Sequence, residues 1–303
     1  MLANFIDIAD HSSKELKDIL LLAHQIKSGS ISPTPLTGKT IAMIFEKSST
    51  RTRISFEVGI KQLGGTPIVL NSGDMQLSRG ETIADTAKVL SRYVDAVMIR
   101  ALSHDSVLEF TKYADIPVIN GLTNLSHPCQ IMADIMTIEE NFDSIDGLDI
   151  AWFGDSNNVL KSWIDASVKL PFALRIACPK GYRPNEVLLE RAIDQGAQIS
   201  VYKSSHEAAI AADVLITDVW VSMGDEEGTR LQDLKPFQVD NELLKVAKNS
   251  AIFLHCLPAV RGNEVTAEVI DGIQSKVFDE AENRLYVQKA IICQLFGENK
   301  KLV

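Results

Sequence analysis

The chain has 303 residues, with 40 Asp plus Glu against 30 Lys plus Arg and a formal net charge of −10. That length suits two domains of ordinary size, and 46% hydrophobic with 23% charged residues is the composition of a soluble globular protein. An acidic chain without a basic block makes a poor nucleic-acid binder, and no apolar run is long enough to span a bilayer, so an anionic ligand must be captured by local arginines.

The opening segment predicts an amphipathic helix from about Ser13 to Lys27, with Leu16, Ile19, Leu20, Ala23 and Ile26 on one face. It lacks the basic start and unbroken apolar core of a signal peptide. Strand candidates follow at 40–46, 66–70, 94–99 and 116–119, with helix candidates near 51–63, 82–92 and 105–114 between them. A second series has strand candidates at 148–153, 173–178, 198–202, 213–217 and 251–255, and helix candidates near 157–170, 185–195, 205–212 and 240–248. This alternation predicts βαβ units and parallel sheets. The two series break in the polar stretch Glu139 to Gly147. A last helix, about Glu280 to Phe296, has no strand after it. The expected fold is therefore α/β: two domains, 1–143 and 144–280, each a parallel sheet flanked by helices, with a C-terminal helix, 281–303, packing back across both.

Cys129, Cys178, Cys256 and Cys293 are far apart and form no CxxC pair, so neither a disulfide framework nor a zinc knuckle is indicated. Reduced thiols and a cytoplasmic location are the simpler expectation.

The run Ser48-Ser49-Thr50-Arg51-Thr52-Arg53 sits where the apolar strand Ile41–Phe45 hands over to a helix. The free N–H groups and positive dipole end of a helix N-terminus favour an anion there. Hydroxyls and guanidinium forks suit a phosphate. The competing reading is a capped helix with solvated arginines. In parallel α/β sheets ligands bind beyond the carboxyl ends of the strands. SSTRTR, MIRA (98–101), FGDSNN (153–158), DVWVSMG (218–224) and LHCLP (254–258) all follow strand candidates, and two such domains would face each other over a cleft.

Each remaining motif has two readings. His127 and Gln130 of His127-Pro128-Cys129-Gln130 are structural, or they address a carbonyl and its amide, with Cys129 in packing. Gly154-Asp155-Ser156-Asn157-Asn158 opens a helix without the further glycines of a dinucleotide fingerprint; it is an Asx-type cap or a polar substrate contact. Asp218 caps the next turn, or holds a substrate ammonium group with Ser222 assisting. Cys256, at the end of the apolar run Ala251–Leu254, is inert packing, a contact to a substrate amine or a nucleophile. The adjacent His255 and Cys256 lack a second pair at metal-ligand spacing. The polar loop Ser72–Glu81 is a surface loop, a lid or a segment lent to a neighbouring subunit.

Together these motifs resemble the ornithine carbamoyltransferases of the aspartate/ornithine carbamoyltransferase superfamily. They run in family order along nearly the whole chain: STRTR, the loop around Gln76, Arg100, HPCQ, GDSNN, DVWVSMG, HCLP and Asn283-Arg284. The resemblance implies transfer of the carbamoyl group of carbamoyl phosphate, bound by the first domain, to the δ-amine of L-ornithine, bound by the second. Citrulline and phosphate result, as in arginine biosynthesis. It implies no metal or organic cofactor, and a homotrimer with sites at subunit interfaces. By the same resemblance Ser49, Thr50, Arg51 and Thr52 hold the phosphate, and Arg100 bridges phosphate and carbonyl. His127 and Gln130 bind the carbamoyl group, and Gln76 reaches the neighbouring subunit's site. Asn158, Asp218, Ser222 and the Met223 backbone bind ornithine, while Cys256, Leu257 and Arg284 complete the carbamoyl-phosphate set. Arg100, His127, Asp218 and Cys256 form the catalytic set. A carbamoyltransferase for another amine such as putrescine, or a non-catalytic paralogue, is the alternative. The stretch 259–265 after HCLP is short compared with some family members.

Overall fold

The computed structural model describes residues 2–71, 73, 75, 80–221 and 228–297. Gln76, Ser222 and Met223 lie outside them. The chain divides into two compact units, one running to Met136 and resuming at Glu282, the other Thr137–Ala281.

In the first unit the apolar runs become β1 (Thr40–Phe45), β2 (Thr66–Asn71), β3 (Ala96–Arg100) and β4 (Val118–Leu122). They form a parallel sheet in the order β2-β1-β3-β4. β1 is buried along nearly its whole length, as a strand covered on both faces requires. The helices are α1 (Ser13–Lys27), α2 (Thr50–Gln62), α3 (Ile83–Leu90), α4 (His104–Tyr113) and the first part of α5 (Pro128–Phe142), whose residues from Thr137 on belong to the second unit. α1 starts at a reciprocal capping box between Ser12 and Glu15 and buries the five apolar residues its periodicity predicts. The core gathers Ile44, Val97, Ile99, Phe110 and Val118.

The second unit holds β5 (Asp149–Phe153), β6 (Ala173–Ala177), β7 (Gln198–Tyr202), β8 (Val214–Thr217) and β9 (Ile252–Leu254), all parallel, in the order β7-β6-β5-β8-β9. Its helices are α6 (Asn158–Lys169), α7 (Glu186–Asp194), α8 (Ser205–Ala209), α9 (Arg230–Leu234), α10 (Asn241–Val246) and α11 (Ala267–Ile270). Phe153, Leu215, Phe253, Val265 and Val277 lie in its core, and Trp163 meets Phe172 edge-on at 5.5 Å. The last helix, α12, is Val277–Phe296. Two parallel sheets flanked by helices and a long C-terminal helix agree with the expected fold class.

The strand–helix alternation does not predict α5. Every residue from Pro128 to Ile138 is buried, including the polar Gln130, Asp134 and Thr137. A helix buried all round has no polar face and hence no period to read.

Both strand orders contain one reversal. In the first sheet the chain steps outward from β1 to β2 and then crosses to β3 on the far side of β1; in the second it steps outward through β6 and β7 and then crosses to β8 beside β5. Connections diverge at such a point and leave a crevice beyond the strand ends, where ligands of parallel sheets bind.

Candidate functional site

At the reversal of the first sheet, the carboxyl ends of β1, β3 and β4 lie side by side and feed the STRTR turn, Arg100 and the 123–127 turn. Ser49 is the N-cap of α2, with extended backbone, and its side chain accepts the Thr52 amide. The cap reading of this motif therefore holds for Ser49. Thr52, fully buried in the first turn of α2, has a second task. Its hydroxyl oxygen accepts Nη1 of Arg100 at 3.1 Å and Nη2 of Arg284 at 2.7 Å. Two guanidinium groups thus converge on one hydroxyl at the positive end of a helix, a natural anion seat. Glu46 ties the two strand ends together, its amide donating to the Arg100 carbonyl and its carboxylate accepting the Leu102 amide. The register of β3 on β4 shifts between Ile99 and Arg100, just where the arginine leaves the sheet. Arg51 is half-buried and pairs with no acceptor among the described residues, whereas Arg53 is exposed beside Glu57 at 3.8 Å.

His127 and Gln130 sit at the start of α5, and both are buried. Gln130 donates through Nε2 to Asp134 at 2.8 Å, which fixes the orientation of its amide. Burial, reinforced by Arg284 and Arg100, holds the His127 ring well below the ordinary histidine value. The ring is neutral near pH 7 and carries one N–H, as a donor to a carbonyl oxygen needs. The unfolded chain takes up a proton at this residue near pH 6.5 and the folded ring does not, so stability falls as the pH drops through that value. Wild type is expected to lose Tm on this account between about pH 7 and pH 5, and His127→Gln to flatten that part of the curve; parallel curves would refute it. Burial pushes the neighbouring Cys129 thiol up to about 12, which leaves it protonated and in packing.

The second unit repeats the arrangement at the ends of β5, β8 and β9. Gly154 adopts φ +119°, and a Cβ there would stand 3.2 Å from Nε1 of the buried Trp220, so glycine is required where β5 turns into α6. Asn157, not Asn158, is the N-cap of α6, accepting the amides of Val159 and Leu160. Its amide nitrogen donates to Oδ2 of Asp218 at 2.6 Å, bridging the reversal between β5 and β8. The half-buried Asn158 opens the helix. The other Asp218 oxygen accepts the Val219 amide at 2.8 Å and Cys256 Sγ at 3.1 Å. Asp218 therefore caps its own turn and also joins the three motifs of this unit.

His255, Cys256 and Leu257 form a turn held from beneath. Leu257 has φ +55° and precedes a cis proline peptide. Its amide donates to His255 Nδ1 at 2.9 Å, which leaves the ring proton on Nε2, 3.3 Å from Glu264 Oε1. Glu264 also accepts the Val260 amide, and Glu280 accepts the His255 amide. Ligand atoms of Asp218, His255 and Cys256 lie within 4.8 Å of one another, but these hydrogen bonds already engage His255 Nδ1 and the Cys256 thiol. Nothing local in the sequence marks Glu280, and the short spacing from His255 is the one signal for Glu264.

Two family models match almost end to end. One, described as the carbamoyl-P binding domain of aspartate/ornithine carbamoyltransferase, matches residues 3–140. The other, described as the Asp/Orn binding domain of the same family, matches residues 146–295. Ornithine carbamoyltransferase of Nitrobacter winogradskyi is 53% identical over 299 residues, covering 97% of both chains. That of Methanobrevibacter smithii is 49% identical, covering 96% of this chain and 98% of its own. Among solved structures, ornithine carbamoyltransferase from Pyrococcus furiosus superposes with a TM-score of 0.93 at 46% identity, covering 98% of each chain. The anabolic enzyme from Campylobacter jejuni gives 0.92 at 42% identity, covering 97% of this chain and 99% of its own.

Proposed function

The chain belongs to the aspartate/ornithine carbamoyltransferase family, and from that premise we propose how its residues serve the transfer of a carbamoyl group from carbamoyl phosphate to L-ornithine. The chain is an enzyme of that reaction class, and citrulline and phosphate are its products. The observation that carries the donor half is the convergence of Arg100 and Arg284 on the Thr52 hydroxyl at the start of α2.

Ser49, Thr50, Arg51 and Thr52 hold the phosphate through hydroxyls, first-turn amides and a guanidinium charge. Arg100 and Arg284 supply further positive charge, and Arg100 spans the phosphate and the carbamoyl oxygen. Neutral His127 donates to that oxygen and Gln130 addresses the amide, with Cys256 and Leu257 completing this set. Gln76 contributes to the site of a neighbouring subunit in a homotrimer, a reading that rests on the motif resemblance. Asn158 serves the α-carboxylate of ornithine, Ser222 and the Met223 backbone assist, and Asp218 with Cys256 orients the δ-amine.

The uncharged amine attacks the carbonyl carbon and a C–N bond forms. The tetrahedral intermediate collapses as the C–O bond to phosphate breaks. The departing phosphate takes the amine proton, so no protein base is needed. Thr52, Arg100 and His127 are fixed donors for the developing oxyanion, and one such donor is worth about 3–4 kcal/mol. Cys256 acts by hydrogen bonding, in keeping with its thiol donating to Asp218. A cytoplasmic location goes with this reading; among the described residues no helix is long and apolar enough to cross a membrane.

The test is citrulline formation from carbamoyl phosphate and L-ornithine, with putrescine, acetylornithine and aspartate as parallel acceptors. Turnover with ornithine alone is expected. Preference for another acceptor would overturn the acceptor-side assignments and leave the donor side standing.

A further inference from the structure

Arg230 lies outside every motif discussed above, yet it is wired to two of them. It opens α9, directly after Gly228 and Thr229. Its Nε donates to the Trp220 carbonyl, and its Nη2 donates to Oδ2 of the buried Asp155. The guanidinium lies over the Tyr182 ring, 5.2 Å from its centroid. The Tyr182 hydroxyl donates to Asp233, which also accepts the Thr229 hydroxyl, and the Tyr182 carbonyl accepts the Ser156 amide.

The two acceptors of Arg230 are not arbitrary. Asp155 is two residues before Asn157, and Trp220 is two residues after Asp218. Asn157 and Asp218 are the pair whose 2.6 Å hydrogen bond bridges β5 and β8. One planar fork therefore grips both strand-end turns just outside the bond that joins them. Burial pushes the Asp155 carboxyl up to about 6 against the pull of Arg230, with Asp218 adding to the rise. A buried acid held in this way keeps its geometry only while its partner stays.

We propose that Arg230 is a positioning residue for the amine acceptor: it holds the Asp155 turn and the Trp220 end in register, so that Asn158 and Asp218 are presented together. This rests on the ornithine reading of that half-site. A merely structural arginine would change the folded fraction, and with it kcat, without separating the two substrates. A positioning arginine shifts the KM for ornithine alone, because carbamoyl phosphate is assigned mainly to residues of the other unit.

The experiment is steady-state kinetics of the full-length wild type, Arg230→Met, Arg230→Lys and the double variant Asp155→Asn/Arg230→Met. Citrulline is measured against each substrate in turn, with Tm recorded for each protein. Arg230→Met is expected to raise the KM for L-ornithine by about ten- to a hundredfold, the worth of one charge-assisted hydrogen bond. Its KM for carbamoyl phosphate should stay within about twofold, which is less than a single weak hydrogen bond is worth. Arg230→Lys should fall between, because an ammonium cannot span both acceptors. The double variant removes the unpaired buried charge and should recover Tm while keeping the high ornithine KM. An unchanged ornithine KM in a folded variant, equal shifts for both substrates, or full rescue of KM by Asp155→Asn each overturns the proposal. If Arg230→Met does not fold, Arg230→Lys and the double variant carry the same readout. Wild-type turnover with ornithine beside an unaffected variant overturns only this inference; a wild type inert towards ornithine overturns the functional reading with it.

Discussion

Arg100→Met is expected to lower kcat/KM for carbamoyl phosphate by about a thousandfold, the upper end for losing one preorganised oxyanion donor. The size follows from where the side chain stands. Arg100 ends β3 next to β1, at the reversal of strand order, and its backbone is clamped by Glu46. Its Nη1 meets Thr52, the hydroxyl that also receives Arg284. Methionine keeps the volume and removes both the charge and the fork. Arg284 keeps its bond to Thr52, and the loss of Arg100 falls on ground state and transition state together. Arg100→Lys restores the charge without the fork and should recover only part of the rate. Kinetics with carbamoyl phosphate varied, checked against an unaltered Tm, reads this directly. A loss below about tenfold, the scale of an ordinary neutral hydrogen bond, would remove Arg100 from the reacting centre.

The second large effect is expected at Asp218. Its two oxygens accept from Asn157, Val219 and Cys256. Asparagine offers one accepting oxygen and an NH2 group, so Asp218→Asn sets a donor against either the Asn157 amide or the Cys256 thiol and the Val219 amide. The negative charge that would attract the ornithine amine is lost as well. About a hundred- to a thousandfold loss in kcat/KM for ornithine is expected, the equivalent of roughly 3–4 kcal/mol for a buried charged acceptor left mismatched. Cys256→Ser keeps a donor to Asp218 and should cost far less. If Cys256 were instead a nucleophile, serine would abolish turnover and wild type would trap a carbamoyl thioester detectable by mass spectrometry.

How far the sequence reaches depends on how local each feature is. Ser49 as helix cap and the arginines beside it were legible because cap, dipole and charge all act within one turn. Phe45 to Thr52 reads as strand end and helix start without any knowledge of neighbours. Asn157 as the cap of α6 was legible as an Asx turn, though its bond to Asp218, 61 residues away, was not. The helix that follows His127 and carries Gln130 gives no periodic signal because every residue from Pro128 to Ile138 is buried, and uniform burial leaves no periodic contrast. Asp155 reads only as part of a turn and Arg230 gives no sequence signal, because an arginine in a polar stretch looks solvated until its acceptors are known.

The two α/β series, the C-terminal helix and the motif-bearing turns can be read from short stretches of chain, since apolar runs, caps and turn residues operate over a few bonds. No short stretch reveals that Arg284 meets Thr52 across 232 residues, that Glu264 and Glu280 brace the His255 turn, or that Arg230 grips both Asp155 and Trp220. These contacts follow from strand order. Which turns become neighbours depends on the reversals β1/β3 and β5/β8, and those crossovers are chosen by burial of whole helix and sheet faces, not by any property of the turns themselves.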